Sequence, residues 1–91
     1  MQAKFANIGG LKVRAPIKSA GVVVGRISDI RFDNDSYEAV VSMNVDARYQ
    51  FPRDTVAKIL TSGLLGEQYV GLEAGGDGVM LKQGDRLRLT Q

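Results

Sequence analysis

The stretch Val22-Val23-Val24-Gly25-Arg26-Ile27-Ser28-Asp29-Ile30-Arg31-Phe32 runs through Asp33-Asn34-Asp35-Ser36 into Ala39-Val40-Val41-Ser42-Met43-Asn44-Val45-Asp46. The second half alternates at period two, placing Val41, Met43 and Val45 on one face and Ser42, Asn44 and Asp46 on the other. In the first half Ile27, Ile30 and Phe32 break strict alternation, and a glycine-associated bulge would let the pattern switch faces. The Asp/Asn/Ser cluster between the halves is turn chemistry, so the whole reads as a β-hairpin.

The same pattern of short apolar runs separated by Gly, Asp and Asn extends in both directions. Upstream, Ala3-Lys4-Phe5 is strand-like. Downstream, Pro52 interrupts the chain after Tyr49 and Phe51, and Thr55-Val56-Ala57-Lys58-Ile59-Leu60 resumes an extended pattern that ends at Thr61-Ser62-Gly63. Asp54 to Ser62 is the best helical candidate, with Asp54 as a cap, but its β-branched residues and the following Gly63 favour a strand. Gln68-Tyr69-Val70-Gly71-Leu72-Glu73, Val79-Met80-Leu81 and Arg86-Leu87-Arg88-Leu89-Thr90 complete the set, the last with Leu87 and Leu89 facing inward. About seven strands and no helix are expected. Seven short strands in one small domain close into a barrel or a compact sandwich, because an open sheet would leave long exposed edges.

Composition agrees with one all-β domain spanning residues 1–91. Ninety-one residues are too few for two cores, and 44% hydrophobic with 24% charged residues is ordinary for a folded chain. Eleven glycines exceed the typical share of ~7%. With no cysteine and no histidine, disulfides, thiolate or imidazole metal sites and histidine-based triads are excluded. Twelve basic against ten acidic residues leave a charge of +2, too little to indicate a nucleic-acid surface. No apolar run approaches the ~18 residues that span a bilayer.

Catalytic and cofactor readings find no support. Asp33-Asn34-Asp35 opens like a calcium loop, but Tyr37 and Glu38 stand where a third ligand and a glycine are needed. Gly21 and Gly25 bracket three valines without the spacing of a phosphate or dinucleotide site. Phe5, Phe32, Tyr37, Tyr49, Phe51 and Tyr69 are scattered and read as core and rim packing, not a base-stacking platform. No catalytic residue, metal or cofactor is expected.

The informative anomaly is Gly63-Leu64-Leu65-Gly66. Adjacent leucines on a strand point to opposite faces, so both cannot enter one core. Either a tight bend tucks both under the end of the barrel, or a glycine-hinged apolar loop is displayed toward an apolar ligand, a membrane or a partner.

Several ordered blocks carry a family resemblance. Phe5-Ala6-Asn7-Ile8-Gly9-Gly10-Leu11-Lys12, Ala15-Pro16-Ile17, Ala20-Gly21-Val22-Val23-Val24-Gly25-Arg26-Ile27 and Leu60-Thr61-Ser62-Gly63-Leu64-Leu65-Gly66-Glu67-Gln68-Tyr69-Val70-Gly71-Leu72 together resemble the MCE (mammalian cell entry) domain. The resemblance covers essentially the whole chain. It departs at Arg14, where the family often has glycine, and at Ala6, where an acidic residue can occur.

The resemblance implies a small seven-stranded β-barrel that assembles as a homohexameric ring. It implies a phospholipid transporter of the ABC type, with inner-membrane permease and ATPase subunits and a soluble periplasmic lipid carrier, maintaining outer-membrane lipid asymmetry. It implies a periplasmic domain anchored to the bacterial inner membrane, of which residues 1–91 would be a barrel core without the N-terminal membrane helix and the C-terminal region. It also implies that Leu64 and Leu65, hinged by Gly63 and Gly66, line the pore of the ring. The alternative is a generic β-barrel interaction module that binds a peptide or polysaccharide through its loops.

Overall fold

The computed structural model describes residues 1–64, 66–82, 84–87 and 89–90, the last two by backbone alone. Seven strands form a single sheet: β1 (Gln2–Phe5), β2 (Pro16–Ser19), β3 (Val22–Asp33), β4 (Glu38–Val45), β5 (Val56–Ser62), β6 (Glu67–Glu73) and β7 (Leu89–Thr90). Their order is β1-β4-β3-β2-β6-β5-β7. All pairings are antiparallel except β2 with β6 and β5 with β7. The all-β expectation holds, and the helical candidate at Asp54 to Ser62 is the strand β5.

The strand count agrees with the sequence, but one member differs. Val79-Met80-Leu81 is no strand, since Met80 makes only an isolated bridge with Pro52. The place is taken by β2, whose one fully buried residue, Ile17, is too short a pattern to announce a strand.

The β3–β4 hairpin is the spine of the sheet. Two bulges interrupt β3: Val24 is the extra residue opposite β2, between Gly25 paired with Ile17 and Val23 paired with Lys18. Ser28 is the extra residue opposite β4, between Ile27 paired with Met43 and Asp29 paired with Ser42. The expected glycine-associated bulge stands at Val24, beside Gly25, and the second bulge at Ser28 switches faces again, so that Val24, Ile27 and Ile30 all turn toward the core although each lies three residues from the next. Gly25 has a different duty. A Cβ there would collide with the Asn44 carbonyl oxygen and lie 2.8 Å from Val45 Cα, so only glycine lets β3 and β4 approach so closely.

The sheet curls until its edges meet. Gln2 N donates to Asp85 O at 2.9 Å and Leu87 N donates to Gln2 O at 2.7 Å, and Gln2 bridges Arg86. The segment that continues into β7 thus lies between β1 and β5, which covers edges that would otherwise template aggregation. Leu87 is buried there, as expected; the side chain of Leu89 lies outside the described residues.

Ile17, Ile27, Val41, Val70 and Ala57 fill the interior with Phe5, Leu11, Met43, Phe51 and Leu72. Thr55 is the one buried polar residue among those described, and its hydroxyl donates to Pro52 O at 2.6 Å. The interior of this barrel is packed with side chains, as small barrels are.

Candidate functional site: the Gly63–Gly66 loop

Strand directions fix where the loops lie. Because β3 and β5 run opposite to β2 and β6, and β1 runs opposite to β4, three connections gather at one end of the barrel. They are the β3–β4 turn, the crossing 6–15 and the β5–β6 loop. The turn at Ala20-Gly21, the connection 46–55 and the connection 74–88 lie at the other end.

The β5–β6 ladder holds register to its last pair, Ser62 with Glu67, and leaves a four-residue loop. Gly63 (φ 69°) and Gly66 (φ 72°) both sit in the left-handed region. A Cβ at Gly63 would meet nothing within 4 Å and one at Gly66 only Thr61 Cγ2 at 3.9 Å. Backbone conformation, not crowding, therefore calls for glycine at both hinges.

Leu64 is wholly exposed, at 105% of its reference surface. The tucked reading does not describe it. Leu65 lies outside the described residues. A fully hydrated leucine forfeits about 1.5–3 kcal/mol relative to burial, and nothing in the barrel's own packing requires it at this position.

The root of the loop carries a residue that the sequence pattern did not mark. The Gln68 side chain packs against the crossing 6–15, its Oε1 3.0 Å from where a Cβ of Gly9 would stand and 3.2 Å from that of Gly10. Gly9 is itself in the left-handed region (φ 56°), and its N–H donates to Asn7 Oδ1 at 2.8 Å. The Gln68 Oε1 is buried with no hydrogen-bond partner. Gln68 thus ties the loop's base to the Gly9-Gly10 turn by close packing. In sequence it is one more polar position on a strand, and only the long-range contact reveals it.

The perturbed carboxylates belong to turns. The Lys4 ammonium, 2.8 Å from Asp33 Oδ2, together with the Asp35 N–H and the Ser36 hydroxyl, holds the Asp33 carboxyl well below the usual carboxylate range. Asp33 therefore serves as the staple of the β3–β4 turn. Asp46 is lowered by the Arg48 N–H and guanidinium, and Asp77 by the Val79 N–H and Arg53. Among the described residues no group of three or more acidic side chains is placed to hold a metal, and no helix is long and apolar enough to cross a membrane.

Comparison with known proteins gives the chain its place. Residues 1–75 match the family model described as "MlaD protein". The chain belongs to the MlaD family. It is 50% identical over 92 residues to the "Intermembrane phospholipid transport system binding protein MlaD" of Haemophilus influenzae, covering 97% of this chain and 55% of the relative. It is 43% identical over 97 residues to the protein of the same name in Escherichia coli (strain K12), covering 100% and 53%. The chain thus spans about half the length of these MlaD relatives. A chain of the Acinetobacter MlaFEDB complex in an ATP-bound conformation has the same fold, with a TM-score of 0.91 at 24% identity over all of this chain and 73% of that one. The MCE resemblance carried by the sequence blocks therefore holds at the level of family and fold.

Proposed function

We propose that this chain is the barrel domain of the phospholipid-binding subunit of an intermembrane transport system, and that it binds lipid with the Gly63–Gly66 loop instead of its interior. The observation that carries this reading is the complete exposure of Leu64 on a loop hinged by two left-handed glycines. The relatives named as phospholipid transport binding proteins supply the cargo.

The interior cannot take a lipid, since Ile17, Ile27, Val41 and Val70 are buried against one another with no exposed surface to speak of. An acyl chain crossing water costs about 0.8 kcal/mol for each CH₂ it exposes, so a conduit needs an apolar lining. One loop encloses nothing. A homohexameric ring with Leu64 and Leu65 of every copy turned to its axis makes that lining from several loops, and the site then belongs to the oligomer. Gly63 and Gly66 allow the sharp reversal that projects Leu64 beyond the ladder.

In this reading the subunit is a binding and conducting component without chemistry of its own. An inner-membrane permease and its ATPase partners supply the work, a soluble periplasmic carrier exchanges lipid with the ring, and the outcome is outer-membrane lipid asymmetry. In the full-length protein the domain is held at the inner membrane.

The test replaces Leu64 and Leu65 with Asn in the full-length protein. Expression and barrel stability are expected to hold while phospholipid transport and outer-membrane integrity are lost. Normal transport by a stably expressed double variant would overturn the loop as the lipid site.

A further inference from the structure

Apart from the leucine loop, two of the exposed apolar features among the described residues lie on different faces and differ in shape. The first is the tip of the β3–β4 hairpin. Phe32 (61% exposed) and Tyr37 (74% exposed) stand together there, with ring centroids 6.1 Å apart and planes at 56°. Tyr37 has φ 57°, a left-handed conformation that a bulky residue adopts only under strain and that glycine or asparagine would take freely. The fold buries little of this tyrosine. Beside it, Asp35 has no cationic partner among the described residues, whereas Asp33 is held by Lys4.

The second feature is a shallow slot of about 150 Å³ on the outer wall of β2, β6 and β5, lined by Lys18, Lys58, Leu60, Tyr69 and Gly71. Gly71 leaves the floor without a side chain, and Leu60 leans over it, 2.8 Å from where a Cβ would stand. Leu60 is exposed, and Val23, paired with Lys18, extends the apolar strip across β3. Lys58 is paired with Glu73 at 2.9 Å. Lys18 has no carboxylate partner among the described residues and rests over the Tyr69 ring at 4.9 Å.

The two features complement one another. One is a protruding aromatic pair with an unpaired carboxylate; the other is a recess with an apolar floor and an unpaired ammonium. They cannot meet within a single chain, because Val23 at the slot and Phe32 at the tip are separated by nine residues of one strand, a span of roughly 25 Å or more even with two bulges.

We propose that the β3–β4 tip of one copy docks in the β2–β6–β5 slot of the next, with Phe32 and Tyr37 over Leu60 and Gly71 and Asp35 against Lys18. The occupant is a second copy of this chain, and the proposal rests on the ring reading above, for which it names the contact. Because the two surfaces differ, the contact is head-to-tail, the kind that closes into rings or runs on as a filament, and not a two-fold contact that stops at a dimer. Strain at Tyr37 is then the cost of presenting an interface aromatic, the residue class in which binding energy concentrates.

The test uses Tyr37→Asn and Lys18→Glu, with association of the chain measured by sedimentation and native mass. Asn suits a left-handed position, so Tyr37→Asn is expected to fold at least as stably as the parent while losing self-association by roughly 30-fold or more, as for a hot-spot residue. Lys18→Glu is expected to weaken association likewise, and adding Asp35→Lys to it in the same chain to restore part of the loss. Mixing the two single variants is the decisive arm. One copy retains only a tip and the other only a slot, so they form a one-to-one dimer that grows no further, whereas each alone stays monomeric. A parent chain that stays monomeric up to about millimolar concentration overturns the docking. So does an assembly that neither variant shifts, and in that case a ring with a Leu64-dependent lipid function still stands. Open filaments of the parent chain that both variants dissolve support the contact and remove the ring.

Discussion

Leu72 and Leu64 lie eight residues apart on one hairpin, yet Leu72 is 2% exposed and Leu64 is entirely in solvent. Leu72 sits on β6 between neighbours that fill the barrel, in register with Ala57 on β5. Leu64 sits past the last rung of the same ladder, between two left-handed glycines. Chemistry at the two sites is identical, so the difference lies in what surrounds the side chain. The barrel interior holds the residues whose burial stabilises the fold, and the loop holds a residue that the isolated fold has no use for. Substitutions in the two regions should therefore separate stability from function.

The largest losses are expected inside the barrel. Ile17→Ala removes a fully buried side chain at the one inward position of β2, with an expected cost of about 3–4 kcal/mol. Chemical denaturation should show a lower midpoint with an unchanged slope; a midpoint within error of the parent would mean that β2 is not part of the core. Next comes Gly25→Ala, for which the collision with the Asn44 carbonyl forces β3 and β4 apart at an expected cost of about 2–3 kcal/mol. Its cost arises from backbone approach, so a parent-like unfolding curve would show that the bulge relaxes freely.

How much of this contrast could be read from the chain depends on whether its cause is local. The 22–46 hairpin was legible because Val41, Met43 and Val45 alternate over a long run and the intervening turn is built from Asp, Asn and Ser. The leucine loop was legible because two adjacent apolar residues between glycines fit no strand. The strand β2 was not, since Ile17 is followed by Lys18 and Ser19, and its parallel partner β6 is more than fifty residues away. Val79-Met80-Leu81 misled in the other direction: it is apolar, but Val79 and Met80 are half exposed and join the sheet through one bridge. Phe32 shares the inward face by pattern and yet projects past the end of the core. Gln68 and the closing contact of Gln2 with Arg86 leave no local trace, because both are made by distant partners.

A smaller effect is expected at the β3–β4 turn, which belongs to neither region. Asp33 has a folded-state pKa below its ordinary value of 3.8, chiefly through Lys4. Its stabilising contribution is therefore complete above about pH 4 and is lost as the pH falls below that value. Asp46 and Asp77 are lowered in the same sense and add to the same acid loss. Lys4→Met should flatten the part due to Asp33, leaving a shallower decline in urea midpoint between pH 4 and pH 2.5. An identical acid profile in parent and variant would show that the pair contributes nothing, as many exposed pairs do.

The hinges come next. Gly63→Ala places a Cβ on a left-handed residue with open space around it, so only conformational strain is expected, about 1 kcal/mol. The informative comparison is Gly63→Asn, which tolerates the same backbone region and should recover most of that loss. If Ala and Asn behave alike, the left-handed hinge is not what the position requires.

Leu64→Asn is expected to have the smallest effect on stability, within about 0.5 kcal/mol of the parent, because a wholly exposed side chain has no packing to lose. Denaturation of the isolated chain measures this directly. A loss comparable to that of Ile17→Ala would place Leu64 in a core contact and undo the contrast with Leu72. The same substitution is also where the proposed lipid function should suffer most, so the two readouts must separate. A variant with intact stability and lost transport assigns the leucine to what passes the loop; intact stability with intact transport leaves its exposure to be explained by a contact with another protein.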